Sequence, residues 1–374
     1  MMMHADRGIL RDRMAFAMVK GMRRVNADSM LGLIGSETLF FEVPERELAA
    51  RVGRMLPVFS DSYRSQLRMK AARELDFVED NNIGCLYFKD DGYPARLREC
   101  DDAPLMVYTV GDCEVNDTHV VSVVGTRHAT PYGVDFVNRL VEDLTQRIGD
   151  VLIVSGLAYG IDVAAHRAAL KYGLPTAAVL AHGLNTIYPA AHRQVAAEMA
   201  RNGGMLLTDY TSADVVHRGN FLARNRIVAG MSDCTVVVES ARKGGAMVTA
   251  SIAGGYSREV MAVPGRTSDP YSEGCNHLIA TNQATMIRDA SDLIAACRWV
   301  EREQEAVQGQ LFYQPTEKEQ AVLDYIVSNP ESTVNGMSVG LGMPSGSLMS
   351  LLIDMEFKDL IIAVPGGRYA LANK

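Results

Sequence analysis

The sequence lacks any apolar run of the about 18 residues that a membrane-spanning helix needs. Its first residues, MMMHADRGILRDRM, also lack the apolar stretch of a signal peptide. The six cysteines, at 85, 100, 113, 234, 275 and 297, form neither a Cys-x-x-Cys pair nor a Cys/His cluster at zinc spacing. We therefore expect a soluble, cytoplasmic protein with reduced cysteines and no bound metal.

The fingerprints of the common nucleotide enzymes are missing as well. Gly125-Thr126-Arg127 is not the G-x-G-x-x-G of dinucleotide sites, and Lys243-Gly244-Gly245 lacks the order of a Walker lysine loop. Ser155 does not stand in the G-x-S-x-G of a nucleophile elbow. We predict no cofactor. His182, His192 and Asp209 are also candidates for catalysis, since His182 and Asp209 each end a strand and could form an acid–base pair. Ordering of turns explains all three better, and no catalytic residue is predicted.

An excess of positive charge is absent, since the formal net charge is −8. The acidity is localised, however. Residues 86–118 contain three Lys/Arg against eight Asp/Glu, whereas residues 119–300 contain 16 against 15. A basic surface in the second segment therefore remains compatible with the acidic total.

Residues 119–300 alternate short apolar runs with helical segments. The strand candidates are HVVSVV, VLIVS, TAAVL, MLLTDY, CTVVVE, EVMAV and ATMI. Seven such runs separated by helices predict an α/β fold, an extended Rossmann-like, doubly wound and mostly parallel sheet. Residues 84–118 form a bridge into it, with one edge strand at Leu105 to Val110, so that the sheet domain spans 84–300.

The two ends of the chain differ from this pattern. Residues 1–83 predict a helical domain; MLGLIGSETLFFEV permits a helix-hairpin-helix-like turn, but a bundle interrupted by glycines explains the same residues and is favoured. Residues 301–315 are a polar linker. Residues 316–374 predict three helices, the first capped by Thr316, and a hairpin, a winged-helix-like order. Their four Lys/Arg against seven Asp/Glu favour protein contact or weak assistance to DNA binding.

The turns that follow the predicted strands carry cations and glycines. Because parallel strands end at one edge of a sheet, these turns should meet there, where such folds bind ligands. Glycines allow close approach to an anion, helix N-termini offer free N–H groups, and arginines add charge. Each cation alone could be a solvated loop charge, but their recurrence predicts a polyanion groove. The candidate residues are Gly125, Thr126, Arg127, Ser155, Gly156, Arg193, Arg224, Asn225, Arg226, Lys243, Gly244, Gly245 and Thr249.

Six segments in register resemble the DprA/Smf DNA-processing family. They are VVGTR, SGLAYGIDVAAHRAAL, AVLAHGLNTIYPAAHRQV, FLARNRIVAGMSDCTVVVESARKGGAMVTA, AVPG and SEGCNHLIATNQA. Two departures concern packing: Phe221-Leu222 replaces the Phe-Pro of many relatives, and Gly245-Ala246-Met247 replaces Gly-Ser-Leu.

The resemblance implies a protein that binds and protects single-stranded DNA, dimerises through its Rossmann-like domain and helps to load the RecA recombinase in natural transformation. It implies a DNA pocket at Gly125, Arg127, Arg224, Asn225, Arg226, Lys243 and Gly244. Since no aromatic ladder is evident in these turns, we expect sequence-tolerant binding of the DNA backbone. The alternative is an enzyme similar to nucleoside-monophosphate phosphoribohydrolases. It is disfavoured because no acidic residue follows Lys243 until Glu259.

Overall fold

The computed structural model describes residues 4–302, 315–329, 333–358, 360–364 and 368–371. The chain forms two compact units, Met1–Arg302 and Glu303–Lys374. Most of the expected linker, 301–315, lies outside the described residues.

Between residues 4 and 80, five α-helices pack around aromatic side chains. They are α1 (His4–Ala17), α2 (Arg24–Ile34), α3 (Glu37–Glu42), α4 (Glu45–Val52) and α5 (Asp61–Asp80). The buried ring of Phe40 lies edge-on to Phe16, with centroids 5.2 Å apart, and to Phe59 at 6.1 Å. Buried Arg64 donates to the carbonyls of Phe40 and Val43 at 2.5 and 2.8 Å, which satisfies the C-terminal end of α3. This apolar core is continuous with one face of the sheet.

In the described part of the chain, nine strands form one sheet. They are β1 (Gly84–Tyr87), β2 (Met106–Gly111), β3 (His119–Val124), β4 (Val151–Ser155), β5 (Thr176–Val179), β6 (Met205–Thr208), β7 (Cys234–Val237), β8 (Glu259–Ala262) and β9 (Thr285–Met286). Their order is β1-β2-β6-β5-β4-β3-β7-β8-β9. Strands β3 to β9 pair in parallel, which confirms the predicted mostly parallel α/β sheet.

The prediction of an edge strand at Leu105 to Val110 was wrong in its position. That segment is β2, which lies second in the sheet and pairs antiparallel with both β1 and β6. The edge strand is β1, whose four residues GCLY are too short to show an alternating pattern.

Helices cover both faces of the sheet. After α6 (Ala95–Arg98) these are α7 (Pro131–Arg147), α8 (Ile161–Tyr172), α9 (Arg193–Arg201), α10 (Arg218–Gly230), α11 (Gly245–Gly255), α12 (Glu273–Ala280) and α13 (Ala290–Cys297). Successive strand residues point to opposite faces. In β3, Val121 and Val123 join the core under α7, α8 and α13, while Val120 and Val124 join the core shared with α11.

The strand order places a crevice in the middle of the sheet. From β3 the chain proceeds to β4, β5 and β6 on one side and then returns to add β7, β8 and β9 on the other. Ligands of open α/β sheets bind at the carboxyl ends of strands at such a switch point. The turns after β3 and β7 therefore face each other across it.

The C-terminal unit contains α14 (Glu317–Ser328), α15 (Val334–Gly340), α16 (Ser345–Phe357) and the antiparallel strands β10 (Ile361–Val364) and β11 (Arg368–Leu371). As predicted, Thr316 caps α14, in a capping box with Glu319. Within the described ranges no single helix is long and apolar enough to cross a membrane. The pair α15 and α16, bent by 112°, passes the same test together, but Leu348 and Leu352 of α16 are buried in this unit's core.

Because the chain divides into two compact units at Arg302, we predict that the first unit folds without the second. Trp299, the single tryptophan, stacks on His119 with ring centroids 4.3 Å apart, so its fluorescence reports this unit. A chain ending at Gln314 should melt cooperatively within about 2 °C of the full chain. A chain ending at Asp289, followed by circular dichroism, should melt much lower because it loses buried Leu293 and Ile294. Equal losses in both truncations would contradict the division.

Candidate nucleic-acid interface

A cavity of about 310 Å³ opens at the switch point. Three elements enclose it: the turn after β3, the middle of α10, and the turn from β7 into α11. The candidate residues that line it are Gly125, Thr126, Arg127, Gly156, Arg224, Asn225, Gly244, Gly245 and Thr249. Nine of the thirteen candidates therefore lie together at the strand ends.

The turn after β3 is fixed by close backbone contacts. A Cβ atom at Gly125 would lie 2.5 Å from Ile161 Cγ1 and 3.0 Å from the Glu239 carbonyl oxygen, so a larger residue would force the turn apart. Thr126 N donates to that carbonyl at 2.6 Å, and the Thr126 carbonyl accepts from Ile161 N at 3.1 Å. With the backbone anchored, the exposed side chain of Arg127 projects from a rigid turn.

Helix α11 points its N-terminus at the cavity. Gly244 is its N-cap and supplies no capping side chain, and Gly244, Gly245 and Ala246 all line the cavity. A Cβ atom at Gly244 would lie 2.3 Å from Ser240 Oγ and 3.1 Å from the Ala241 carbonyl oxygen, so a larger residue would crowd that turn. Uncapped N–H groups and the helix dipole together favour an anion at this point. Lys243 precedes the helix; it is exposed and does not line the cavity.

Arg224 forms part of the cavity wall rather than a free cationic arm. Its side chain is buried, and Nη1 donates to the carbonyls of Gly156, at 2.7 Å, and Val179. These bonds tie α10 to the ends of β4 and β5. Burial lowers the pKa of the Arg224 guanidinium, while the nearby Asp162 carboxylate opposes that shift.

The remaining candidates point elsewhere. Ser155 is buried and donates from Oγ to the Val123 carbonyl at 2.6 Å, which ties neighbouring strands. Arg226 forms an ion pair with Asp209 and donates to the Asp102 carbonyl; it lines a different cavity. Arg193, exposed at the start of α9, does not line the cavity.

Each of the three residues that were candidates for catalysis holds a turn in place. His182 Nε2 accepts from Tyr188 N at 3.1 Å, His192 Nδ1 lies 2.8 Å from the Leu157 carbonyl oxygen, and Asp209 pairs with Arg226. In the part of the chain that the structure describes, no group of three or more His, Cys, Asp or Glu side chains is placed to hold a metal ion.

Residues 84–298 match the family model of the DNA recombination-mediator protein A. The chain belongs to the DprA/Smf family. The putative DNA processing protein DprA of Mycobacterium tuberculosis is 33% identical over 319 residues, covering 84% of this chain and 81% of the relative. Protein Smf of Escherichia coli is 32% identical over 308 residues, covering 80% of each chain.

Solved DprA structures share the fold. The DprA of Streptococcus pneumoniae superimposes with a TM-score of 0.63 at 28% identity, covering 79% of this chain and 98% of that one. The DprA of Helicobacter pylori, studied for its unique single-stranded DNA binding mode, gives a TM-score of 0.51 at 31% identity, covering 57% of this chain and 94% of that one.

The structure of this DprA/Smf chain also shows cavity residues that the sequence reasoning missed. Phe221 and Tyr271 line the cavity, and neither was among the candidate residues. The Arg127 guanidinium carbon lies 5.7 Å from the Phe221 ring centroid, and Tyr188 meets that ring edge-on at 5.6 Å. A signal existed: Phe221 stands three residues before Arg224, so one helix face carries both.

Asp162, the second missed feature, brings a carboxylate to the cavity. It occupies the first turn of α8 and is buried, which raises the pKa of its carboxyl, while Arg224 acts to lower it. Sequence spacing gave no hint of this, since Asp162 and Arg224 are brought together only by the packing of α8 and α10 around the strand ends.

Replacement of Arg224 by methionine should destabilise the protein by about 3 kcal/mol, because two hydrogen bonds from a charged donor are lost. The loss should depend on pH. Without the guanidinium the folded-state pKa of Asp162 rises further above its ordinary value of 3.8, so ionisation of Asp162 then opposes folding more strongly. The deficit should therefore be largest near pH 7 and shrink as the pH falls toward about 4.

Denaturant unfolding of Arg224→Met beside Arg127→Met measures both effects. Replacement of the exposed Arg127 should lower the free energy of unfolding by less than about 0.5 kcal/mol, both near pH 7 and near pH 4. Equal costs for the two variants would show that Arg224 does not hold the strand ends.

Proposed function

We propose that this protein binds single-stranded DNA in the cavity at the switch point and helps to load the RecA recombinase. It acts in the cytoplasm as a dimer formed through its sheet domain. The observation that carries the DNA proposal is the uncapped N-terminus of α11, which faces the anchored turn after β3 across the cavity. RecA and the dimer are what the family resemblance implies.

A phosphate group suits this arrangement. The first N–H groups of α11 point at the cavity, and the glycines at 125 and 244 leave no side chain between backbone and ligand. Arg127, together with Arg242 and Lys243 just outside, supplies exposed charge. Such contacts fix the position of a nucleic-acid backbone without reading its sequence.

The cavity also offers an aromatic surface on which an unpaired base can stack. The Phe221 ring lies at the cavity with Arg127 near it and Tyr188 beside it, and base stacking on an aromatic ring tolerates any sequence. A duplex keeps its bases stacked inside, so only a single strand can use both the phosphate contacts and the ring.

We propose that the chain divides into four regions, residues 1–83, 84–300, 301–315 and 316–374. The regions outside 84–300 support the DNA binding of the sheet domain. The C-terminal unit has the element order of a winged helix. The outward face of α16 carries Met349, Ile353 and Phe357 and no cation, so we assign this unit to protein contact rather than to duplex binding.

An enzyme of the phosphoribohydrolase kind is the weaker proposal. Cleavage of an N-glycosidic bond needs a carboxylate at the reacting carbon. Asp162, which lines the cavity, is buried, and its Oδ2 accepts a hydrogen bond from the Ala158 N–H at 3.4 Å. That oxygen is thus engaged in holding the strand-end turn. We propose a binding protein without catalytic residues.

Competition between single-stranded and duplex oligonucleotides, repeated over a range of salt, tests the proposal. Single strands should bind at least severalfold more tightly. Arg127→Ala and Lys243→Ala should each make the slope of log affinity against log salt shallower by about 0.7, the value for one phosphate contact on a single strand. The matched control is Arg201→Ala, an exposed arginine at the end of α9 outside the cavity.

Affinity should fall for every oligonucleotide sequence alike, and melting should not change. Equal duplex and single-strand binding, or parental slopes in both variants, would contradict the proposal.

A further inference from the structure

A second groove, of about 680 Å³, adjoins the first cavity. It runs between α7 and α8 and shares one residue, Arg127, with the first cavity. Its other lining residues include His128, Tyr159, Arg167, Lys171 and His192. The two cavities therefore meet at the exposed side chain of Arg127.

The second groove is more basic than the first. Arg127, Arg167 and Lys171 are exposed within it, and no Asp or Glu is among the described residues that line it, whereas Asp162 lines the first cavity. In a chain of net charge −8, a groove with three cations and no lining acid is a local exception. Grooves of one charge sign concentrate ligands of the opposite sign.

The cations follow one face of α8. Arg167 and Lys171 are four residues apart, which places them one turn, or about 6 Å, apart along the helix axis. Lys171 Nζ donates to the Tyr172 hydroxyl at 2.7 Å and lies 4.4 Å from that ring's centroid, which orients it. Within the described ranges neither Arg167 nor Lys171 forms an ion pair, so both charges are available to an anion.

An aromatic ring stands at the entrance. Tyr159 is 49% exposed, and its ring lies edge-on to the buried His192 with centroids 4.9 Å apart. His192 is itself held by a contact of 2.8 Å between Nδ1 and the Leu157 carbonyl oxygen. The exposed face of Tyr159 is thus a supported platform beside the cations, the combination that single-stranded nucleic acids bind.

We propose that a DNA strand leaving the first cavity crosses Arg127 and continues through this second groove. Arg167 and Lys171 neutralise its phosphates there, and Tyr159 stacks on one of its bases. The proposal rests on the proposed function, since it extends the same DNA site, and it makes a distinct claim about length. Short strands fill only the first cavity, and longer strands gain the second groove.

The double variant Arg167→Ala/Lys171→Ala tests this with a series of thymidine oligonucleotides from about 4 to about 16 nucleotides long. On the longest strand its salt slope should be shallower than the parent's by about 1.4, the value for two phosphate contacts. On the shortest strand it should bind like the parent. Arg54→Ala/Arg201→Ala removes two exposed arginines outside both grooves and should bind like the parent at every length.

Variants of Tyr159 test the second groove independently of its cations. Tyr159→Ala should lose at least about fivefold in affinity for the long strand, the effect of one stacked base, whereas Tyr159→Phe should keep that affinity. A long strand without bases beyond its first few nucleotides should bind Tyr159→Ala and the parent equally.

The outcomes separate the two proposals. If Arg127→Ala weakens binding but the Arg167/Lys171 and Tyr159 variants match the parent at all lengths, the second groove is not part of the path. If the double variant weakens short and long strands alike, the length claim is overturned. If Arg127→Ala also binds every strand like the parent, the proposed function itself fails.

Discussion

The site depends on the bonds that Arg224 makes with two strand-end carbonyls. By donating to the carbonyls of Gly156 and Val179, one guanidinium bonds to the ends of β4 and β5 and holds α10 against the sheet. Asn225 and Phe221 are carried on the same helix to the cavity. An arginine that seemed available to DNA is therefore what gives the cavity its shape.

The fold could be predicted from sequence because the physics of a buried parallel strand is local. Runs such as HVVSVV and CTVVVE can be covered on both faces only inside a sheet, and all seven runs became parallel strands. The antiparallel extension was missed because β1 is four residues long and its pairing with β2 is set by tertiary contact.

The candidate site was predictable only as far as backbone position. Strand ends and helix starts follow from the fold class, which is why Gly125, Arg127 and Gly244 were placed together. The hydrogen bonds and ion pairs that each side chain makes do not follow from the fold class. Arg226 lies two residues beyond Arg224, yet it faces Asp209 and Asp102, and the burial of Arg224 beside Asp162 depends on how α8 and α10 pack. Charge patterns identify cations but do not reveal which are already paired within the fold.

Hydrogen–deuterium exchange measured with and without an unlabelled thymidine oligonucleotide tests the central claim most directly, because it reports the backbone amides that we assign to phosphate. We expect slower exchange at the start of α11, in Gly245 and Ala246, and in the turn Gly125–Arg127, with little change in residues 316–374. Protection confined to the C-terminal unit, with the amides of α11 and the β3 turn unchanged, would contradict it.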